Sequence, residues 1–278
     1  MSTLAAKAAS QRAVLVRQSQ LGDHEQPAPR PELSQPTPLR LAQPLLLPLS
    51  SAMRAITTDQ VISLTYDDGP NPEQTVDVLD ALAEQDAKAT FFVLTDRARE
   101  HPEIVRRMLD EGHQVGLHGL DHARLTDVSG REAVRRIRAG KRILEGITGR
   151  PITLYRPTYG AIGLAALLGA RLSGMDVVIW TAWARDWFDA PAAELAERVV
   201  GALHPGAIVL LHDATDDAQA IGAGPPPTFS RGEVTRLILT GLKEHGYTSI
   251  TTGELLHRYP AARALTAARP GLPKLPGR

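Results

Sequence analysis

Two adjacent aspartates follow a short apolar run, and they could hold a metal ion or accept a proton. The strand-like run at 61–66 ends at Asp67 and Asp68, which Gly69 and Pro70 follow. Neighbouring side chains of an extended backbone point in different directions, so one carboxylate could bind a cation while the other faces a water molecule. Asp, Gly and Pro also dominate ordinary turns. This run alone leaves both interpretations open.

Two histidines four residues apart could bind the same cation. His118 and His122 would face the same way on a helix or helical turn. Gly119 follows the first of them, so this is not the His-Glu-x-x-His motif of zinc proteases, and a base must come from elsewhere, with Asp67 as a candidate. The chain has no cysteine. A metal would therefore be held by His, Asp or Glu, and the alternative is a surface histidine pair without a ligand.

A third polar cluster ends the most apolar strand-like run. His212 and Asp213 follow the apolar residues 209–211. A histidine on a rigid strand suits a general acid, although a histidine at the end of a strand is more often structural. Two further polar segments, at 156–160 and 186–187, also come after strand-like runs. Neither is informative by itself.

The segments that would position these residues alternate between strand and helix. Strand-like runs lie at 61–66, 89–94, 113–117, 152–155, 176–180, 207–211 and 247–250, and helical patterns lie near 73–85, 102–111, 130–147, 161–172, 191–203 and 232–245. This alternation implies parallel strands with crossover helices. No Gly-x-Gly-x-x-Gly follows the first strand, so an irregular barrel fits better than a doubly wound sheet. In barrels the chemistry lies at the carboxyl ends of the strands, where these polar clusters are found.

Taken in order, five segments resemble the motifs of the NodB-type polysaccharide deacetylases, also called carbohydrate esterase family 4. The family's Thr-Phe-Asp-Asp-Gly, His-Ser/Thr-x-x-His, Arg-x-x-Tyr/Phe, Asp-Trp and Leu-x-His resemble the segments 65–69, 118–122, 156–159, 186–187 and 210–212. The match extends over about residues 55–258. The resemblance implies an α/β fold, a distorted (β/α)7-8 barrel known as the NodB homology domain.

The resemblance also implies a metal site and an acid–base pair. Asp68, His118 and His122 would bind one divalent ion, most often Zn²⁺, although Co²⁺ or Ni²⁺ also suits such ligands. Asp67 would be the general base that takes a proton from the attacking water. His212 would be the general acid that protonates the leaving nitrogen.

Five supporting residues follow from the same resemblance. Arg156 would orient the base, and Asp186 would orient the acid. The backbone N–H of Tyr159 would help to hold the oxyanion. Trp187 and Leu210 would line a small pocket for the methyl of the acyl group.

The chain departs from the family pattern at two positions. Gly119 stands where the family usually has Ser or Thr, which removes a hydrogen bond that would steady the metal-binding turn. The longer Asp-x-x-Asp-Trp form would place an Asp at position 183, where this chain has Trp183. We therefore expect the polar groups around His212 to be fewer, or to be supplied from elsewhere.

Length and composition suggest one catalytic domain with extensions at both ends. A 278-residue chain accommodates a single barrel. We expect an N-terminal extension and proline-rich linker at 1–54, a catalytic domain at 55–260 and a C-terminal tail at 261–278. Residues 1–38 carry none of the motifs, so activity should survive their removal unless they pack across the barrel. Residues 214–228 would form a loop that shapes substrate access.

The charge balance argues against some partners. Lys and Arg number 31, as do Asp and Glu, which gives no electrostatic basis for binding nucleic acid or a polybasic attachment to membranes. No stretch approaches the ~18–20 apolar residues of a membrane-spanning helix. The first 20 residues lack the apolar core of a secretory signal. We therefore expect a cytoplasmic protein whose partner is a small-molecule or oligosaccharide substrate.

The leading functional hypothesis is a hydrolase that removes an N-acyl group, above all acetyl, from an amino sugar or an N-acetylated saccharide. A second hypothesis uses the same site on a non-carbohydrate amide, such as a biosynthetic intermediate. A third is a metal-containing protein that binds a glycan without turnover. The presence of both Asp67 and His212 argues against the third, because binding alone needs neither a base nor an acid.

Overall fold

The computed structural model describes residues 13–23, 26–28, 37–214 and 226–266. The strands are β1 (Ala13–Leu15), β2 (Ser51–Ala55), β3 (Val61–Asp67), β4 (Ala89–Leu94), β5 (Gln114–Gly119), β6 (Leu154–Tyr155), β7 (Asp176–Val177), β8 (Ala182–Trp183), β9 (Ile208–His212), β10 (Thr248–Ser249) and β11 (Ala261–Ala264). The helices are α1 (Thr37–Leu46), α2 (Gln74–Glu84), α3 (Thr95–Glu100), α4 (Pro102–Asp110), α5 (Gly130–Thr148), α6 (Leu164–Leu172), α7 (Ala192–Gly201), α8 (Arg231–Glu244) and α9 (Thr252–Arg258). In these ranges no helix is long and apolar enough to cross a membrane.

Seven strands form a curled parallel sheet in the order β7-β6-β5-β4-β3-β9-β8. Every pair in this order is parallel, and β10 pairs with the first two residues of β3. Helices connect most successive strands, as parallel pairing requires. The α/β fold and the distorted barrel predicted from the sequence are confirmed, with seven strands in the curl.

Alternation along β3 separates two cores. Ile62, Leu64 and Tyr66 pack into the layer between the sheet and its helices. The intervening side chains, which end with Asp67, point to the interior of the curl, because successive residues of a strand face opposite sides. A second apolar cluster, which includes Leu210, fills that interior. The site residues at the strand ends therefore lie next to this packed apolar cluster.

Helices α5 and α8 have the capping expected at their first turns. The Ser129 hydroxyl accepts a hydrogen bond from the Glu132 N–H at the start of α5. The Ser230 hydroxyl accepts one from the Glu233 N–H at the start of α8. Such caps satisfy N–H groups that have no partner within the helix. They fix where α8 begins, which matters for the site.

A small sheet with strand order β1-β11-β2 packs beside the large one. Residues 261–264, predicted to lie in a C-terminal tail, form its buried central strand instead. Residues 13–15 and 51–55, predicted to lie in the extension, supply the other two strands. The proposed domain division itself stays a prediction. Most of the loop predicted at 214–228 lies outside the described residues.

Candidate active site

The backbone turns sharply after β3 and separates the two adjacent carboxylates. Asp67 ends the strand, and Asp68 has a φ of 80°. The sequence predicted an extended backbone here, but Asp68 adopts a left-handed conformation. The next residue, Gly69, donates its N–H to Asp213 Oδ1 at 3.0 Å. A Cβ at this position would lie 2.0 Å from that carboxylate, so only glycine fits here.

Asp68, His118 and His122 form a compact cluster of possible ligands. Asp68 Oδ1 lies 3.2 Å from Nε2 of each histidine, and the three atoms are within 4.8 Å of one another. Burial raises the pKa of Asp68, but the two histidine rings beside it hold that pKa well below its usual range. Asp68 Oδ1 is also buried without a hydrogen-bond partner, which is costly unless a cation binds there. These residues fit a divalent cation.

The two histidines reach the cluster from a strand end and a bend. His118 lies on β5, and His122 lies in the bend at 120–122, so the predicted helical turn is wrong. His118 Nδ1 lies 2.8 Å from the carbonyl oxygen of Arg156, so this nitrogen donates and Nε2 keeps its lone pair for the cluster. A salt bridge between Asp121 and Arg136 ties the bend to α5.

Gly119 is required by the path of this bend. A Cβ there would lie 2.6 Å from the carbonyl oxygen of Asp121. Ser or Thr, the usual family residues, would displace that carbonyl and the neighbouring His122. The sequence predicted a lost hydrogen bond at this position, and the structure shows in addition that the bend leaves no room for the side chain.

Arg156 holds Asp67 from beneath the site. Its Nη1 donates to Asp67 Oδ1 at 2.8 Å and to Thr65 Oγ1 at 2.7 Å. The guanidinium is fully buried, and its central carbon lies 4.2 Å from the ring centroid of Phe92. Asp67 Oδ2 lies 3.9 Å from His118 Nε2 and so faces the ligand cluster. One carboxylate oxygen is therefore anchored and the other is directed at the site.

His212 lies beside Asp67 on the neighbouring strand and is held by Asp186. Asp67 and His212 are register partners in the parallel pair β3–β9. Asp186 Oδ1 accepts from His212 Nδ1 at 2.8 Å, and Asp186 Oδ2 accepts from its backbone N–H at 2.8 Å. Burial lowers the pKa of His212, but the charge of Asp186 and this hydrogen bond raise it above its ordinary value. Burial raises the pKa of Asp186, and the charge of His212 more than offsets this and lowers it.

Near His212, sequence reasoning missed Arg231 and gave Asp213 no role. Arg231 donates from Nη1 to Asp186 Oδ2 at 3.0 Å and to the carbonyl oxygen of His212 at 2.8 Å. Asp213 accepts from the Thr75 hydroxyl at 2.7 Å, and burial raises the pKa of Asp213 to about 6. Asp213 was noted beside His212 in the sequence, but nothing there indicated its contact with Thr75. Arg231 belongs to no motif and gave no signal.

The predicted substrate-binding residues surround the same space. Tyr159 has a φ of 59°, and such strain, on the order of 1–3 kcal/mol, is typical of functional sites. Its ring centroid lies 4.5 Å from that of His122. The Trp187 ring stands edge-on to His212 at 5.7 Å, and Leu210 is buried two residues before that histidine. Their individual roles stay predictions.

Comparison with known proteins identifies the family. The polysaccharide deacetylase family model matches residues 54–178. The peptidoglycan-N-acetylglucosamine deacetylase of Bacillus cereus is 34% identical over 202 residues, which cover 71% of this chain and 89% of that protein. The chain belongs to the polysaccharide deacetylase family. This confirms the family predicted from the five motifs, and with it the enzyme class, hydrolases of carbon–nitrogen bonds other than peptide bonds.

Other polysaccharide deacetylases match over different shares of their length. The chitooligosaccharide deacetylase of Rhizobium leguminosarum bv. trifolii is 34% identical over 78% of this chain and 92% of its own. The peptidoglycan-N-acetylmuramic acid deacetylase PdaC of Bacillus subtilis is 41% identical over 55% of this chain, which spans only 32% of that protein. The crystal structure of a peptidoglycan N-acetylglucosamine deacetylase in complex with an N-hydroxybenzamide has a TM-score of 0.66 at 31% identity, and the match covers 74% of this chain and 92% of that one.

Proposed function

We propose that this polysaccharide deacetylase removes the acetyl group from the nitrogen of an N-acetylated amino sugar within a saccharide. One observation carries the proposal: Asp67 and His212 stand in register on β3 and β9, beside the Asp-His-His cluster. A base, an acid and a cation site thus meet at one end of the sheet. The relatives named above act on glycans with acetamido groups, which supports a saccharide substrate.

Asp68, His118 and His122 would hold one divalent ion, for which we propose Zn²⁺, with Co²⁺ or Ni²⁺ able to replace it. Such a cation supplies Lewis acidity, which lowers the pKa of a water molecule and polarises the amide carbonyl. The buried Asp68 Oδ1 and the Nε2 atoms of the two histidines would be the ligand atoms.

Asp67 takes the proton of the attacking water through Oδ2. Its other oxygen, Oδ1, is fixed by Arg156 at 2.8 Å, so the carboxylate cannot turn away from the site. A base is effective when it is within hydrogen-bond reach of the proton it removes. The N–H of Tyr159 then stabilises the negative oxygen that forms at the carbonyl, an interaction of a kind worth ~3–4 kcal/mol when one donor is deleted.

His212 gives its proton to the nitrogen of the amino sugar as the bond to the acyl carbon breaks. An amine is a poor leaving group unless it is protonated, so this step needs an acid. His212 Nδ1 is engaged by Asp186, which leaves Nε2 as the nitrogen that delivers the proton. Trp187 and Leu210 bound the space in which the methyl of the acetyl group would lie.

Acetate release tests this proposal. The zinc-loaded protein would be assayed with N-acetylglucosamine oligomers, peptidoglycan fragments and a panel of small non-carbohydrate amides, with Asp67→Asn as the matched inactive control. We expect acetate from one or both of the saccharide classes and little from the small amides. Turnover confined to the small amides would favour the second hypothesis. A metal-loaded protein that binds glycan and releases nothing would overturn the enzymatic proposal.

A further inference from the structure

Arg231 occupies a position that does not favour an arginine. It is the first residue of α8 and only 5% exposed. A cation near a helix N-terminus is opposed by the helix dipole. Burial of a guanidinium adds a desolvation cost of its own. Neither the helix terminus nor the buried surroundings therefore favour an arginine here. The contacts of its side chain explain why it is present.

The Arg231 side chain bridges the two members of the His212–Asp186 pair. Nη1 donates both to Asp186 Oδ2, at 3.0 Å, and to the carbonyl oxygen of His212, at 2.8 Å. Nε lies 3.3 Å from Gln74 Oε1 of α2, and the guanidinium stands 5.4 Å from the Phe229 ring. The head group is thus fixed on several sides while it contacts the carboxylate.

We propose that Arg231 is a positioning residue that keeps Asp186 ionised and in place while His212 gives up its proton. The inference rests on the proposed function, in which His212 is the general acid. It assigns to an arginine outside the five motifs a part in the proton-transfer step.

The argument follows the charges through that step. Before the transfer, the Asp186 carboxylate lies between two cations, the imidazolium of His212 and the guanidinium of Arg231. When the proton leaves Nε2 for the amine, His212 becomes neutral. A buried carboxylate without a counterion is strongly disfavoured. Arg231 stays charged, since a guanidinium is not deprotonated in proteins, and so Asp186 continues to accept from Nδ1.

Arg231 is the counter-charge of Asp186 that stays when His212 becomes neutral. Trp183, at the position where the family's longer motif has an aspartate, brings no charge, and its ring centroid lies 5.2 Å from that of Trp187. Among the residues that the structure describes, Arg231 is the only Lys or Arg side chain with a salt bridge to Asp186. The expectation that groups around His212 are supplied from elsewhere is met by α8.

Arg231→Met tests the proposal on two substrates. An N-acetylated amide needs its leaving group protonated, whereas an activated acetate ester does not. We expect kcat for the amide to fall by about tenfold or more, which is part of the ~10²–10⁴ that one acid–base group supplies. The ester should lose less than about threefold, with KM nearly unchanged for both. Arg231→Lys keeps the charge and should recover most of the amide rate.

The matched control is Arg236→Met on the same helix. Arg236 pairs with Glu84 and Asp77 across the α2–α8 interface, so its loss disturbs the interface without touching Asp186. We expect equal, small changes for amide and ester in this control. Equal losses of amide and ester turnover in Arg231→Met, or equal amide losses in the Lys and Met variants, would overturn the proposal. If Arg231→Met does not fold, Arg231→Lys decides alone, since a lysine that loses amide and ester turnover equally contradicts it.

A double mutant distinguishes a failure of this proposal from a failure of the proposed function. In a His212→Ala background, Arg231→Met should change kcat for the amide by less than about twofold, because residues that act through one group are not additive. A further tenfold loss there would show that Arg231 acts by another route. If His212→Ala itself lowers amide and ester turnover equally, the assignment of His212 as the acid fails. If His212→Ala lowers amide turnover more than ester turnover but Arg231→Met does not, then His212 is the acid and the proposed role of Arg231 is wrong.

Discussion

Asp67 and Asp68 are adjacent in the chain but lie in different surroundings. Asp67 is paired with the buried Arg156, and Asp68 faces two histidines. The left-handed backbone at Asp68 separates them, at a cost on the order of 1–3 kcal/mol. In the proposed mechanism, the same residue type thus serves as an anchored proton acceptor at one position and as a metal ligand at the next.

Substitution should separate these two roles. Asp67→Asn keeps an oxygen that can accept from Arg156 and leaves the three proposed ligands unchanged, so the metal should stay bound. The value of kcat should fall by about 10²-fold or more, because the proton acceptor is lost. His118→Ala should instead lower metal affinity, because one of three ligands is removed. Elemental analysis of the purified variants, together with acetate release, measures both effects. An empty but folded Asp67→Asn protein would show that Asp67 is itself a ligand.

The pH dependence should report His212. The Asp186 charge raises the pKa of His212, so the imidazolium persists to higher pH and the rate should fall on the alkaline side as it deprotonates. Asp186→Asn removes that charge, so the pKa of His212 should fall and the alkaline limb should move to lower pH by about one unit. His212→Ala should flatten the limb and cost ~10²–10⁴ in kcat for an amide. A limb that moves upward in Asp186→Asn would contradict this assignment.

In the bend after β5, the path of the backbone restricts position 119 to glycine. Gly119→Ser would restore the usual family residue, yet its Cβ would meet the Asp121 carbonyl at 2.6 Å. The carbonyl must then move, and His122 follows it directly in the chain. We expect zinc affinity to fall by about tenfold, the low end for perturbed metal-site neighbours.

The control for this prediction lies in α5. A Cβ at Gly146 meets nothing within 4 Å, so Gly146→Ser introduces the same side chain without a clash. We expect unchanged zinc affinity in this variant. Competition with a chromophoric chelator measures Kd for both. Tighter zinc binding by Gly119→Ser would show that the hydroxyl gain outweighs the displacement of the bend.

Elements whose apolar pattern is contained within their own residues could be predicted from the sequence. The apolar runs at 61–66 and 89–94 became β3 and β4 to within one residue, because four to eight apolar residues before a turn are typical of a buried strand. The ring of polar residues at the carboxyl ends followed from the parallel arrangement. The helical turn at His118 was wrong because a spacing of four residues also suits a strand end followed by a bend.

Buried charged residues whose partners are distant in the chain could not be predicted. The strand β2 contains Arg54, and an arginine is ordinarily expected at the surface. Arg54 is nevertheless buried and donates to the carbonyl oxygens of Ala28 and Pro205. Arg231 contacts Asp186 across 45 positions of the chain. No local pattern marks such pairs, because what stabilises the buried charge is supplied by another element.

At the scale of the whole molecule, the small sheet packs against the barrel and shares one apolar cluster with it. Its strand β11 carries Arg263, which forms a salt bridge with Asp176, the first residue of β7. Its strand β2 is bridged to Ala207, which directly precedes β9. A further bridge joins Ala52 of β2 to Val178, which directly follows β7. None of the proposed site residues lies on the small sheet, so its loss should affect stability more than chemistry.

Removal of residues 1–38 tests this division. The deletion removes β1 and three side chains that are buried in the described structure, Leu15, Val16 and Leu21. Each such side chain contributes roughly 1.5–3 kcal/mol, and 1 kcal/mol corresponds to about 2–4 °C in Tm for a chain of this size. We expect Tm to fall by about 10 °C or more. The value of kcat, measured well below that Tm, should stay within about twofold, because every site residue remains.

Two leucine substitutions in the full chain provide the control for the truncation. Leu15 is 1% exposed and Leu45 is 80% exposed, so the same change removes a packed side chain in one case and a solvated one in the other. Leu15→Ala should cost ~2–5 kcal/mol, whereas Leu45→Ala should stay within about 0.5 kcal/mol. Thermal unfolding of the three proteins, paired with acetate release at low temperature, measures stability and chemistry separately. A truncated chain with an unchanged Tm would show that β1 adds nothing to the fold, and one that is folded but inactive would show that the N-terminal segment supports the site after all.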